Sequence, residues 1–249
     1  MYALTLVVLS VLVQAPPQQT LIKAGRLVDG RSQQVQTNVG ILVEGERIRA
    51  VGPMAQVQGQ APNARVIDLS QMTVLPGLID THTHLLLQGD ITSQEYEDQL
   101  LKQSIPYRAI LAARNAALAL QHGFTALRDV ETEGAMYADV DVKLAVNRGE
   151  VPGPRIFAST RAMAPTGMYP INTPNWEIEL PKGVQYVDGV DNARLAVREQ
   201  VQHGADWIKY YSDRRYYFTP DSTLRSWVNF TDPEAKAIVD RAFAAWAAI

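Results

Sequence analysis

Val74-Leu75-Pro76-Gly77-Leu78-Ile79-Asp80-Thr81-His82-Thr83-His84 is the stretch on which the reading of this chain turns. It is an apolar run that ends in two histidines one residue apart. Side chains at i and i+2 of a strand leave the same face, so both imidazoles can reach one point in space. Neutral imidazole is the commonest protein ligand for zinc-like ions, and two such nitrogens on a rigid strand make half of a tetrahedral site. Asp80 belongs to the same alternating row, where it can cap the turn or orient a ligand histidine.

Downstream of this stretch, apolar strands alternate with amphipathic helices. Strands are expected over residues 73–80, 124–130, 155–160 and 206–211, and helices over 107–121, 136–148, 192–202 and from Asp232 onward. Such alternation predicts an α/β fold, a parallel sheet joined by right-handed crossovers. Two junctions resemble each other, Gln121-His122-Gly123-Phe124-Thr125 and Gln202-His203-Gly204-Ala205-Asp206. Each reads as a helix end, a C′ glycine and the next strand. His122 and His203 are therefore assigned to helix ends, where imidazole meets the free carbonyls and the negative end of the dipole. His82 and His84 fall just past the C-terminal end of a strand, the face on which parallel barrels do their chemistry.

Upstream, residues 20–72 read as short strands and turns, including a hairpin around Glu44-Gly45-Glu46, and form a small β unit. Residues 1–15 are an apolar run followed by Pro16-Pro17, too short to span a bilayer comfortably and ending in a small residue. They are read as a signal peptide, with a linker to residue 19, which predicts a periplasmic or secreted protein with no stable membrane span. No Lys or Arg precedes the run, which departs from the usual signal pattern.

The chain has 249 residues and a net charge of −3, so there is no basic stripe and nucleic acid is excluded as a partner. Cysteine is absent, which removes disulfides, thiolate metal sites and a cysteine nucleophile. Any metal must be held by nitrogen and oxygen. Lys209, in Gly204-Ala205-Asp206-Trp207-Ile208-Lys209-Tyr210-Tyr211, stands inside an apolar strand where a charged ammonium is costly. Burial favours the neutral amine, which can add carbon dioxide to form a carbamate with two oxygens.

The lead-in to His82-Thr83-His84 resembles the first metal motif of the amidohydrolase superfamily. Within it, the segment ending in Lys209 resembles the fourth-strand Gly-Ala-Asp-x-Ile-Lys motif of secreted metallo-dipeptidases. Gly123-Phe124-Thr125-Ala126-Leu127-Arg128-Asp129 and Gly153-Pro154-Arg155 extend the likeness over nearly the whole chain. It implies a (β/α)8 barrel with a composite β-sandwich, two divalent metal ions of the zinc type, and His82, His84 and carboxylated Lys209 as metal ligands. The implied reaction is hydrolysis of a C–N amide bond in a small peptide or amide substrate, a dipeptidase acting on Xaa-Pro or related bonds.

Two departures qualify this. Relatives carry a Thr-Gly-Gly-His segment near the third strand, whereas this chain reads Thr166-Gly167-Met168-Tyr169. The family also needs further histidines from strands five and six and an aspartate proton shuttle from strand eight. This chain has four histidines, two of them at helix ends, so its catalytic residue is unassigned. Residues 73–249 then read as the N-terminal half of a barrel, four to five units preceded by the β-sandwich portion. Two other readings stand beside the dipeptidase: an imidazolonepropionase-like cyclic-amide hydrolase with one metal, and a non-catalytic half-barrel whose open sheet edges drive it into a homo-oligomer. Tyr210, Tyr211, Tyr216, Tyr217, Phe218 and Trp227 line either a substrate pocket or a packed loop. Arg214 and Arg215 either meet a peptide carboxylate or are solvated.

Overall fold

The structure, a computed structural model, describes residues 18–87, 89, 92–169, 175 and 177–246. The expected signal peptide lies outside the described residues. The chain forms two compact units, residues 1–76 and 77–249.

In the first unit, strands β1 (Gln19–Leu27), β2 (Gln36–Glu44), β3 (Arg47–Pro53) and β4 (Arg65–Val74) make one sheet in the order β3-β2-β1-β4. The β1–β2 and β2–β3 pairs are antiparallel and β1–β4 is parallel. The expected hairpin at Glu44-Gly45-Glu46 joins β2 to β3, with Gly45 at φ 58°, a conformation that glycine adopts without a Cβ clash. Gln19–Leu27 is one continuous strand through Gly25. The register against β4 shifts between Ala24 and Arg26, and the Ser70 carbonyl occupies the space a Cβ of Gly25 would need. The turn-like glycine is thus a bulge residue within the strand. Helix α1 (Met54–Gln60) was not expected; it seats Val57 against Gly40 and joins Leu21, Leu42 and Ala61 in a small apolar core.

The second unit begins with β5 (Leu78–Thr83), followed by α2 (Ser93–Lys102), α3 (Ile105–Gln121), β6 (Phe124–Asp129), α4 (Ala138–Asn147) and β7 (Arg155–Ala158). β5, β6 and β7 are parallel neighbours in that order. Short strands β8 (Met163–Ala164) and β9 (Gln185–Tyr186) precede α5 (Val190–Gln202). A hairpin of β10 (Asp213–Phe218) and β11 (Leu224–Val228) leads to α6 (Asp232–Trp246). Leu85, Leu86, Ala112, Ala116, Leu127, Val142 and Ile156 form the core beside the parallel sheet, and Met163, Val197, Phe230 and Ile238 a second one around α5 and α6. No helix among the described residues is long and apolar enough to cross a membrane.

Three expectations are corrected. The strand expected over 73–80 is split, because Pro76 has no N–H to give a ladder and Leu75-Pro76-Gly77 interrupts it. β5 starts at Leu78, so His82 lies inside the strand and His84 one residue beyond it. Residues 206–211 do not form a regular strand. Asp206 N and Trp207 N both donate to the Ala158 carbonyl, and only Tyr210 bridges Met163. The segment therefore runs beside residues 158–163 without a regular ladder. Finally, α2 was missed because Ser93-Gln94-Glu95-Tyr96-Glu97-Asp98 hides apolar periodicity. Its signal was Thr92-x-x-Glu95, which makes a full capping box.

Candidate active site

Asp129 ties the tip of β5 to that of β6, and Asp206 ties the Lys209 segment to the tip of β7. Buried Asp129 accepts from Leu85 N at 3.2 Å and Glu131 N at 3.3 Å, while Val130 N donates to the Thr83 carbonyl at 3.0 Å. Asp206 accepts Ala158 N at 2.8 Å and pairs with Lys143 at 2.6 Å, fixing the start of the segment that carries Lys209. Asp80 accepts the backbone N–H of His82 at 2.9 Å, so it holds the main chain rather than an imidazole. His122 and His203 cap α3 and α5, with the His122 Nδ1 2.9 Å from the Leu118 carbonyl and the His203 ring stacked 4.0 Å from Tyr137.

The His82 and His84 rings lie 5.5 Å apart, edge to face. His84 Nδ1 is 3.2 Å from the Glu131 carbonyl oxygen. A carbonyl only accepts, so that nitrogen carries the proton and Nε2 keeps its lone pair. His82, Arg128, Ser159, Trp207 and Lys209 face a common cavity of about 210 Å³. Arg128 donates to the Thr81 carbonyl at 2.6 Å and stacks 5.2 Å over Trp207. Burial lowers the His82 pKa, and the neighbouring Lys209, His84 and Arg128 press it further in that direction. Both effects favour neutral imidazole, the form that ligates a metal. Lys209 is half-buried, with Nζ 5.1 Å from the centroid of Tyr211.

Sequence reasoning missed a buried acidic layer next to His84. Glu131 is fully buried, and Tyr211 donates to its Oε2 at 2.5 Å. Its Oε1 has no hydrogen-bond partner among the described residues. Burial, then the neighbouring Glu133, pushes the Glu131 carboxyl up to about 9. Glu133 Oε2 accepts from Tyr96 at 2.8 Å and from Tyr169 at 2.9 Å, while its Oε1 lies 3.9 Å from His84 Nδ1. His84, Glu131 and Glu133 each offer a ligand atom, all within 4.8 Å of one another. Buried Arg108 donates at 3.0 Å to the carbonyls of both Leu86 and Thr132, holding the loop that carries the two acids. The available signal was Glu131-Thr132-Glu133 itself, directly after the C-terminal end of a strand. Tyr169 ends the segment that departs from the expected Thr-Gly-Gly-His, and its hydroxyl fills this layer.

The arrangement fits a divalent ion. Two histidines, one biased to the neutral state and one with its tautomer fixed, stand beside a half-buried amine and an unpartnered carboxylate oxygen, and no thiolate competes.

Residues 73–248 match the model of the "Amidohydrolase family". The ochratoxinase of Aspergillus niger is 26% identical over 238 residues, a match covering 90% of this chain and 48% of that protein. The imidazolonepropionase of Halobacterium salinarum is 33% identical over 124 residues, 49% of this chain and 29% of that one. Among solved structures, a Xaa-Pro dipeptidase with methionine bound in its active site superposes with a TM-score of 0.73 at 31% identity, covering 91% of this chain and 54% of that one. A prolidase complexed with N-methylphosphonate-L-proline gives the same TM-score and identity, with 92% and 54% covered. The chain spans about half the length of the ochratoxinase, the Xaa-Pro dipeptidase and the prolidase.

Proposed function

Because the chain belongs to the amidohydrolase family, a family of metal-dependent hydrolases, we propose that it carries the metal-holding part of a dipeptidase. In this reading β5, β6, β7 and the 206–211 segment are the first four staves of a (β/α)8 barrel, and the β1–β4 sheet belongs to the accompanying sandwich. His82, His84 and Lys209 hold two divalent ions of the zinc type, Lys209 as its carbamate. Bound ions of this kind acidify water and polarise a carbonyl, which is the chemistry amide hydrolysis needs.

The chain's own groups prepare that chemistry. The lowered His82 pKa favours its neutral ring, and the Glu131 carbonyl accepts from the Nδ1–H of His84. Arg128, anchored on Thr81 and Trp207, walls the cavity without entering an ion pair among the described residues. The observation that carries the reading is that His82 and Lys209 line one cavity while His84 presents a fixed tautomer beside it. The likeness to the Xaa-Pro dipeptidase and the prolidase favours an imide-type peptide bond as substrate. The apolar residues 1–15 favour export to the periplasm or beyond.

The test is ion binding to metal-stripped protein, by titration calorimetry and elemental analysis, with and without bicarbonate. Two ions per chain are expected with bicarbonate, and His82→Ala or Lys209→Met should abolish the pair. Ion binding indifferent to both substitutions would overturn the assignment. The match to an imidazolonepropionase supports a second reading, a cyclic-amide hydrolase holding one ion without a carbamate. A stoichiometry of one that is indifferent to Lys209→Met would select it.

A further inference from the structure

Above the buried acids lies a second layer and then a third. The hydroxyls of Tyr211 and Tyr169 are spent on Glu131 and Glu133, which fixes both rings. The two rings stand 5.2 Å apart, tilted to each other. Arg214, on β10, lays its guanidinium 3.6 Å from the centroid of Tyr169 and 5.2 Å from that of Tyr211. The layers therefore run carboxyl group, phenol ring, guanidinium, and the negative face of a phenol ring attracts a cation.

The residue itself is exposed, and among the described residues no carboxylate forms an ion pair with it. The planar fork of a guanidinium matches a carboxylate bidentately. Arg214 Cζ and Lys209 Nζ lie 5.2 Å and 5.1 Å from the same Tyr211 centroid. They are thus no more than about 10 Å apart, a gap spanned by the about 3.5 Å between a dipeptide's scissile carbonyl and terminal carboxylate plus a contact of about 3 Å at each end. A dipeptide whose scissile carbonyl lies by Lys209 can place its terminal carboxylate at Arg214.

We propose that Arg214, held against Tyr169 and Tyr211, binds the terminal carboxylate of the substrate and so determines that the protein accepts a free C-terminus. The inference rests on the dipeptidase reading and adds to it a specificity-determining residue. Glu131 and Glu133 enter as positioning residues that act through the two tyrosines.

The test uses the full chain loaded with zinc and bicarbonate, with N-acetyl-L-proline and N-acetyl-L-prolinamide as probes, and binding read by calorimetry. The acid should bind at least tenfold more tightly than the amide. Arg214→Met should erase that preference, weakening the acid at least tenfold and the amide less than twofold, and Arg214→Lys should restore part of it. Tyr169→Phe retains the platform but cuts its link to Glu133, and should reduce the preference by less than Arg214→Met does. Equal binding of acid and amide to the wild type, or equal losses for both probes in Arg214→Met, would overturn the proposal. Ion content measured on the same samples keeps the two readings apart: loss of the ions from the wild type breaks the metal assignment, whereas an acid preference indifferent to Arg214 with ions in place breaks only this one.

Discussion

The two units bury different chemistry. Inside the first, among the described residues, every buried side chain is apolar: Leu21, Ala24, Leu27, Val39, Ile41, Leu42, Val57 and Ala61. Inside the second lie Arg108, Asp129, Glu131, Glu133, Asp139, Thr160 and Gln200, all fully or almost fully buried. Burying an ionisable group costs several kcal/mol unless it is paired or neutralised, so a chain carries such groups where they do something besides fold. The first unit is stabilised by apolar packing. The second gives up some stability to hold charges in a fixed pattern at the strand tips.

That contrast can be broken most decisively at the proposed metal ligands. Lys209→Met should lower divalent-ion affinity by more than the roughly 10–100-fold typical of losing a supporting hydrogen bond. Calorimetric titration reads this, and the first unit has no substitution that should move it. Next in size is Arg108→Met, which strands the carbonyls of Leu86 and Thr132 and removes a buried positive charge from Glu133. A loss of about 3–5 kcal/mol in urea unfolding is expected. Leu42→Ala in the first unit should cost about 2–5 kcal/mol through a cavity alone. The contrast sharpens if only the Arg108 loss depends on pH.

The pH dependence has a definite sign. Glu131 titrates near 9 in the folded chain and near 4.5 when unfolded. The folded state therefore holds the extra proton between those values. Its contribution to stability is complete below about 4.5 and is lost as pH rises through 9, at no more than about 1.4 kcal/mol per pH unit. Metal-free protein followed by thermal unfolding from pH 5 to 9 should show this fall, and Glu131→Gln should flatten it. The smallest effect is His122→Ala, at a helix end, with a loss of about 0.5–1 kcal/mol and no change in ion binding. A change in ion binding there would show that helix-end histidines reach the site.

The sequence was legible where a residue type and its spacing impose one geometry. His82-x-His84 on a strand, the paired His-Gly junctions and the hairpin at Gly45 all have local causes, and their backbones follow them. Glu131, Glu133, Tyr169 and Tyr211 were not legible as a group, because their meeting depends on three separate segments converging. Acid and tyrosine in loops ordinarily read as solvated polar surface. Residues 206–211 mislead for a related reason: their apolar pattern reports burial, which a strand and a pinned irregular segment share. Of the aromatic stretch, Tyr211 turns inward to Glu131 while Tyr216, Phe218 and Trp227 stay exposed on the β10–β11 hairpin.

Gly77 bears on how precisely the histidines are aimed. A Cβ at that position would fall within the side chain of Thr125, and the next residue's N–H, on Leu78, meets the Gly123 carbonyl at 2.8 Å. This contact indexes β5 against β6 the way a key indexes a shaft. Side chains alternate from face to face along a strand, so a slip of one position would turn both imidazoles to the wrong side. One methyl group added at Gly77 should thus be felt five and seven residues downstream, as misdirected histidines in a chain that still folds.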